Sequence, residues 1–186
     1  MSIKGTKTEQ NLLKSFAGES MARDKYKVFA DKAKKEDFDV IAAYFDFAAG
    51  QEDRHAKVFF SYLEEGGIEV PSGLFPAVEI GNTTENLLNA VEGEHIKANM
   101  MYPEFARIAG EEGLKKISVV FKMLSEIEKK HEEKFRLFLK NEKEVKTINP
   151  SDKKTWSCCS CGYEHIGEKM PKICPFCSET DVFEQI

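Results

Sequence analysis

Residues 45–63 read FDFAAGQEDRHAKVFFSYL, and residues 121–139 read FKMLSEIEKKHEEKFRLFL. Aligned at an offset of 76, they match at Phe45 and Phe121, Glu52 and Glu128, His55 and His131, Phe59 and Phe135, and Leu63 and Leu139. Upstream, Asn11-Leu12-Leu13 and Gly18-Glu19 match Asn86-Leu87-Leu88 and Gly93-Glu94 at an offset of 75. A pair of segments that recurs with its polar residues in register indicates an internal duplication. Each copy supplies one lone Glu, followed more than thirty residues on by Glu-x-x-His.

The pattern around these motifs is helical. Thr8-Glu9 and Thr83-Thr84-Glu85 open two helices, since a hydroxyl side chain can accept the first free backbone amides. The first helix is predicted from Thr8 to about Lys35 and the second from about Asp37 to Glu65, where Gly66-Gly67 ends it. The third is predicted from about Thr84 to Ala109 and the fourth from about Leu114 to Asn141, separated by Gly110 to Gly113. Residues Gly66 to Asn82 contain Pro71, Pro76 and further glycines and are not helical. As extended chain they can run the length of a bundle, at about 3.3 Å per residue against about 1.5 Å in a helix. The expectation is an all-α, ferritin-like four-helix bundle of two antiparallel hairpins joined by one long crossover.

Helical spacing turns the carboxylates inward. Seven and four residues before Glu52, and seven after it, stand Phe45, Ala48 and Phe59; around Glu128 the same positions hold Phe121, Leu124 and Phe135. Glu19 follows Leu12 and Phe16 and precedes Tyr26, and Glu94 follows Leu87 and Val91 and precedes Met101. Four ionised carboxylates buried without compensation would cost several kcal/mol each, more than a domain of about 10 kcal/mol net stability carries. Two divalent metals balance the charge. One Glu from each of two helices and Glu-x-x-His from each of the other two form the donor set of a di-iron bundle. This set, Glu19, Glu52, His55, Glu94, Glu128 and His131, suits iron or manganese better than a closed zinc site. Tyr26 and Tyr102 lie near the same level and can either donate hydrogen bonds to the carboxylates or simply pack in the core. His95 is turned about 100° from Glu94 and stands outside the set.

All five cysteines fall within the last 29 residues, four of them as Cys158-x-x-Cys161 and Cys174-x-x-Cys177. Such paired knuckles bring four thiolates to one tetrahedral metal, and Gly162 fits the tight turn of the first. Zinc ribbons and iron rubredoxins share this spacing; beside a redox-capable bundle, iron is the better reading. Cys159 is incidental. Three units are therefore expected: a bundle over residues 1–141, a linker over 142–155 and a small metal-bound β domain over 156–186. The last has too few apolar residues to fold without its metal.

Composition narrows the function. A chain of 186 residues, 41% of them hydrophobic, can bury a sizeable core. Its formal charge of -5, without a basic cluster, offers no footprint for nucleic acid. No apolar run approaches the roughly 20 residues of a membrane span, and the first residues lack a secretory pattern, so the expected location is the cytoplasm.

Across nearly its whole length the chain resembles the rubrerythrins, in Gly18-Glu19-Ser20, Glu52-x-x-His55, Gly93-Glu94, Met101-Tyr102-Pro103, Glu128-x-x-His131 and Trp156-x-Cys158 through Cys177. The resemblance implies a cytosolic oxidoreductase: an iron pair, with manganese or zinc as substitutes, reduces hydrogen peroxide to water. A rubredoxin-type iron passes it electrons from a separate NAD(P)H-dependent reductase or rubredoxin. It also implies a homodimer or larger homo-oligomer, with the rubredoxin unit of one chain close to the iron pair of another. One departure stands out: rubrerythrins usually carry a further Glu three residues after the equivalent of Glu94, which exchanges with the equivalent of His55 during redox, and this chain has Lys97. Ser178 also stands where many rubredoxins have Gly. The competing readings are an iron-handling protein that oxidises and sequesters Fe(II), and a redox-inactive zinc ribbon on a structural metal bundle.

Overall fold

The structure, a computed structural model, describes residues 2–64, 78–140, 155–167 and 169–185. Its elements in order are α1 (Lys7–Lys35), α2 (Asp39–Phe60), α3 (Thr83–Ile96), a π-helical turn (Lys97–Met101), α4 (Tyr102–Glu111), α5 (Lys115–Lys140), β1 (Thr155–Cys158), β2 (Glu164–Ile166) and β3 (Phe183–Gln185). The α3, π and α4 segments form the third helix of a four-helix bundle. The chain is an all-α ferritin-like bundle with a small C-terminal strand unit. No helix among the described residues is long and apolar enough to cross a membrane.

Three expected boundaries shift. The cap of α1 is Thr6, whose hydroxyl accepts from the Glu9 amide, and the cap of α3 is Asn82, which shares a capping box with Glu85. The second helix ends at Phe60 rather than Glu65, closed by turns that return the Tyr62 and Leu63 amides to Phe59 and Phe60 carbonyls. The third helix is not continuous α-helix, because the π turn inserts one residue. The greater part of the expected crossover and the linker over residues 142–154 lie outside the described residues, while Thr155 already belongs to β1.

Two apolar clusters show how the helices run. One gathers Phe29, Ala33, Ile41, Phe45, Leu87, Val91 and Phe138, from the end of α1, the start of α2 and α3, and the end of α5. The other gathers Leu12, Phe59, Tyr102, Ala106, Leu114 and Phe121, from the opposite ends. Phe60 and Thr83 therefore lie at opposite ends of the bundle.

The hairpins cap each other. Glu112, at the turn after α4, accepts from the Lys7 and Thr8 amides at the start of α1, both at 2.9 Å. Glu36, at the turn after α1, accepts from the Thr83 amide at 2.8 Å and its hydroxyl at 2.6 Å, at the start of α3. Each carboxylate thus meets the positive end of a helix in the other half. The strand unit is an antiparallel sheet in the order β2-β1-β3, pairing Trp156 with His165 and Cys158 with Phe183.

Candidate metal centres

Glu19 from α1, Glu52 and His55 from α2, Glu94 from α3, and Glu128 and His131 from α5 converge at mid-bundle, every one at most 3% exposed. Their donor atoms form two overlapping groups: Glu19, Glu52, His55 and Glu128, and Glu52, Glu94, Glu128 and His131. Glu52 and Glu128 belong to both. His55 Nδ1 lies 3.0 Å from Glu52 Oε2 and 3.4 Å from Glu128 Oε1. His131 Nδ1 faces the other two oxygens, 3.2 Å from Glu52 Oε1 and 2.8 Å from Glu128 Oε2. Each of these two carboxylates thus offers one oxygen to either seat, as a bridging ligand would.

Hydrogen bonds orient the donors from outside. The Tyr26 hydroxyl donates to Glu94 Oε1, and the Tyr102 hydroxyl donates to Glu19 Oε1. The phenol of each half therefore holds the carboxylate of the other. Tyr26 stands seven residues after Glu19, but Tyr102 stands eight after Glu94. The π turn absorbs that extra residue. Eight α-helical residues would leave Tyr102 about 80° off the Glu94 face, and one inserted residue brings it back. Ser125 Oγ secures the turn by donating to the Ala98 carbonyl at 2.7 Å.

The remaining ring nitrogens reach the edge of the bundle. His55 Nε2 lies 2.9 Å from the carbonyl of Cys161, and His131 Nε2 lies 2.6 Å from Gln51 Oε1. A proton on each Nε2 satisfies these acceptors; each Nδ1 faces the carboxylates, holding a proton between them when no metal is bound and free to offer its lone pair to a metal when one is. Gln51 in turn lies against Gly162, where a Cβ would come within 3.0 Å of its Oε1. Gly162 also has φ +78°, so both conformation and clearance require glycine.

Lys97 enters the same cluster. Its Nζ lies 2.7 Å from Glu94 Oε2, 3.1 Å from Glu19 Oε2, 3.2 Å from Glu128 Oε1 and 3.4 Å from Glu52 Oε2. The side chain is only 12% exposed, so its stem does not carry the ammonium out to water.

Burial and mutual charge set the protonation of these groups whenever no metal is bound. Burial raises Glu19, and pushes Glu94 up to about 8, against the opposing pull of Lys97. Burial also acts on Glu52, but Lys97 and His55 outweigh it and hold that carboxyl well below the usual range. Burial would lower both histidines; the carboxylates of Glu52 and Glu128 outweigh it and push each up to about 10. Buried Glu52 Oε1, Glu94 Oε2, both oxygens of Glu128 and His131 Nδ1 meet only one another, His55 and the Lys97 ammonium, in ion-pair contacts without hydrogen-bond geometry. Buried charges so crowded are costly unless further cations balance them, and hard oxygens with imidazole nitrogens suit iron or manganese. The donor set fits a metal pair.

In the C-terminal unit Cys158, Cys161, Cys174 and Cys177 converge, with Sγ separations of 3.8 Å for Cys158 and Cys177 and 3.6 Å for Cys161 and Cys174. The knuckles repeat each other: the Gly162 amide donates to Cys158 O and the Ser178 amide to Cys174 O, both at 2.9 Å. Ser178, at φ +60°, occupies the left-handed conformation that Gly162 has in the first knuckle. Cys159 is exposed and outside the cluster.

This unit packs on the bundle of its own chain. Phe176 meets the His55 ring edge-on at 5.6 Å between centroids, and Arg54 donates to the Cys177 carbonyl at 2.8 Å and pairs with Glu179. Gln51 and Arg54 were not singled out by spacing. Gln51 had a faint signal: it stands four residues before His55, hence on the inward face.

The rubrerythrin family model matches residues 10–139. The chain is 43% identical to the rubrerythrin of Porphyromonas gingivalis over 98% of this chain and 90% of that protein. It is also 43% identical to the rubrerythrin of Nitratidesulfovibrio vulgaris, over 95% and 92%. Among solved structures, mixed-valence and fully reduced, all-ferrous nigerythrin each superpose with a TM-score of 0.70 at 30% identity, covering 100% of this chain and 92% of theirs.

Proposed function

Because the chain belongs to the rubrerythrin family, we propose that it is a peroxidase that reduces hydrogen peroxide to water at the bundle centre, with electrons entering through the four-cysteine centre. Glu19, Glu52, His55, Glu94, Glu128 and His131 hold two irons, with manganese or zinc as substitutes, and the four cysteines hold a third. When bound, these irons supply the one-electron steps by which two electrons and two protons convert one peroxide into two waters. An NAD(P)H-dependent reductase or a rubredoxin feeds the outer centre.

The observation that carries this reading is the 2.9 Å contact between His55 Nε2 and the Cys161 carbonyl. One hydrogen bond joins a donor of the inner site to the backbone of a donor of the outer site. Storage of iron requires no such junction. The chain's own groups do the rest. Tyr26 and Tyr102 fix the two terminal carboxylates, Gln51 and Cys161 fix the imidazole tautomers, and Phe176 covers His55.

The second reading is an iron-handling protein that oxidises Fe(II). Lys97 favours it, because a site without the family's additional Glu still has the six donors such a reaction uses. Removing residues 142–186 separates the two. Under the peroxidase reading the truncated bundle keeps its metals but loses reductant-driven peroxide turnover. Turnover as fast as that of the whole chain with the same donor would overturn it.

A further inference from the structure

Lys97 contacts the acid cluster unevenly. Three of its four carboxylate partners, Glu19 Oε2, Glu52 Oε2 and Glu128 Oε1, are the oxygens that serve the His55 seat, and they lie 3.1, 3.4 and 3.2 Å from Nζ. From the His131 seat it takes one, Glu94 Oε2 at 2.7 Å. Glu52 Oε1 and Glu128 Oε2 stay turned toward His131. The internal duplication sharpens the contrast. Three residues after Glu94 comes Lys97, but three after Glu19 comes Ala22, a buried methyl group. The cluster therefore has an ammonium seated among its oxygens at one of two equivalent places and a methyl group at the other.

A protonated lysine donates three hydrogen bonds and has no lone pair for a metal. An ammonium seated among three oxygens must withdraw before a metal can take the same three, and two cations a few ångströms apart repel. We propose that Lys97 makes the two metal seats unequal. The seat of Glu52, Glu94, Glu128 and His131 fills first. The seat of Glu19, Glu52, His55 and Glu128 fills only by displacing the ammonium, so the chain passes through a one-metal form in which Lys97 serves as the second cation. This inference rests on the reading that the six residues hold a metal pair.

The test is titration of the full chain, its bundle stripped by chelation, with Mn(II), a hard ion that prefers carboxylates and imidazoles to thiolates. Electron paramagnetic resonance distinguishes a lone Mn(II) from an exchange-coupled pair. The first equivalent should give the lone-ion signal, and the second should bind about tenfold or more weakly, a gap typical of strong coupling between sites. Lys97→Met removes the ammonium and keeps the stem. It should bring the two affinities together and yield coupled pairs at lower Mn(II); Lys97→Gln serves the same comparison if the Met variant does not fold. Two equal seats in the unaltered chain, or a Lys97→Met titration like that of the unaltered chain, would overturn the inference and leave the metal-pair reading intact. No Mn(II) in the bundle of either protein would overturn both.

Discussion

At the scale of single residues, the charges around His55 and His131 make a prediction about pH. Both imidazoles are pushed up to about 10 in the metal-free cluster, against 6.5 for the free group. A raised folded-state value means that the folded protein binds the proton more tightly, so the stabilisation is complete below pH 6.5 and lost as pH rises through about 10. Glu94, pushed up to about 8, acts in the same direction. Chelator-treated protein should therefore unfold at progressively lower urea as pH is raised from 6.5 to 10, and a flat midpoint would contradict it. Lys97 makes a second prediction. His55 is held through Nε2 by Cys161, and the place from which a family carboxylate would compete for its metal is taken by an ammonium. His55 should remain a ligand in both the reduced and the oxidised protein, and Lys97→Glu should introduce a redox-linked exchange. Crystal structures of the two states decide it: a metal that leaves His55 on oxidation of the unaltered chain contradicts the expectation.

At the scale of elements, the π turn is the part of the third helix that periodicity could not reveal, because counting by 3.6 assumes an unbroken helix. Met101, seven residues after Glu94, took the inward place in the sequence reading; the inserted residue gives that place to Tyr102 instead. A trace was present all along. The offset between the two halves is 75 at Glu19 and Glu94 but 76 at Phe45 and Phe121, and the slip lies in this turn. The four helices and the convergence of their carboxylates were legible because apolar stripes and metal-donor spacing are local patterns. Bonds between halves were not, since neither Glu36 with Thr83 nor Tyr26 with Glu94 has a signature within one helix. Deleting the exposed Met100 from the turn should restore α-helical hydrogen bonding and leave Tyr102, then seven residues after Glu94 as Tyr26 is after Glu19, on the same face. Tyr102→Phe instead removes the hydrogen bond to Glu19, and losing a buried hydrogen bond to a carboxylate costs about 1.5–3 kcal/mol. Denaturant unfolding of the chelator-treated proteins should show a loss of that order for Tyr102→Phe and little change for the deletion; a deletion as costly as Tyr102→Phe would mean that the turn does more than absorb one residue.

At the scale of the molecule, the C-terminal unit and the bundle meet where both candidate metal sites approach the interface. Arg54 grips the second knuckle through the Cys177 carbonyl and Glu179 while lying outside both donor sets. Arg54→Ala should leave both metal sites with their normal spectra yet slow electron transfer between them, since small misplacements can cost about a hundredfold in rate. Stopped-flow reoxidation of the four-cysteine iron by peroxide measures this directly, and an unchanged rate would remove Arg54 from the junction. The burial described for the six donors has a further result. A centre whose six donor side chains are at most 3% exposed is a sieve. A reactant must pass through gaps opened by side-chain motion, and such gaps favour molecules of a few atoms. Hydrogen peroxide should therefore be consumed far faster than tert-butyl hydroperoxide, although the O–O bond to be cleaved is alike in both. Equal rates would mean that the bundle opens widely in each cycle; unequal rates would make the tightness of its packing the source of its selectivity.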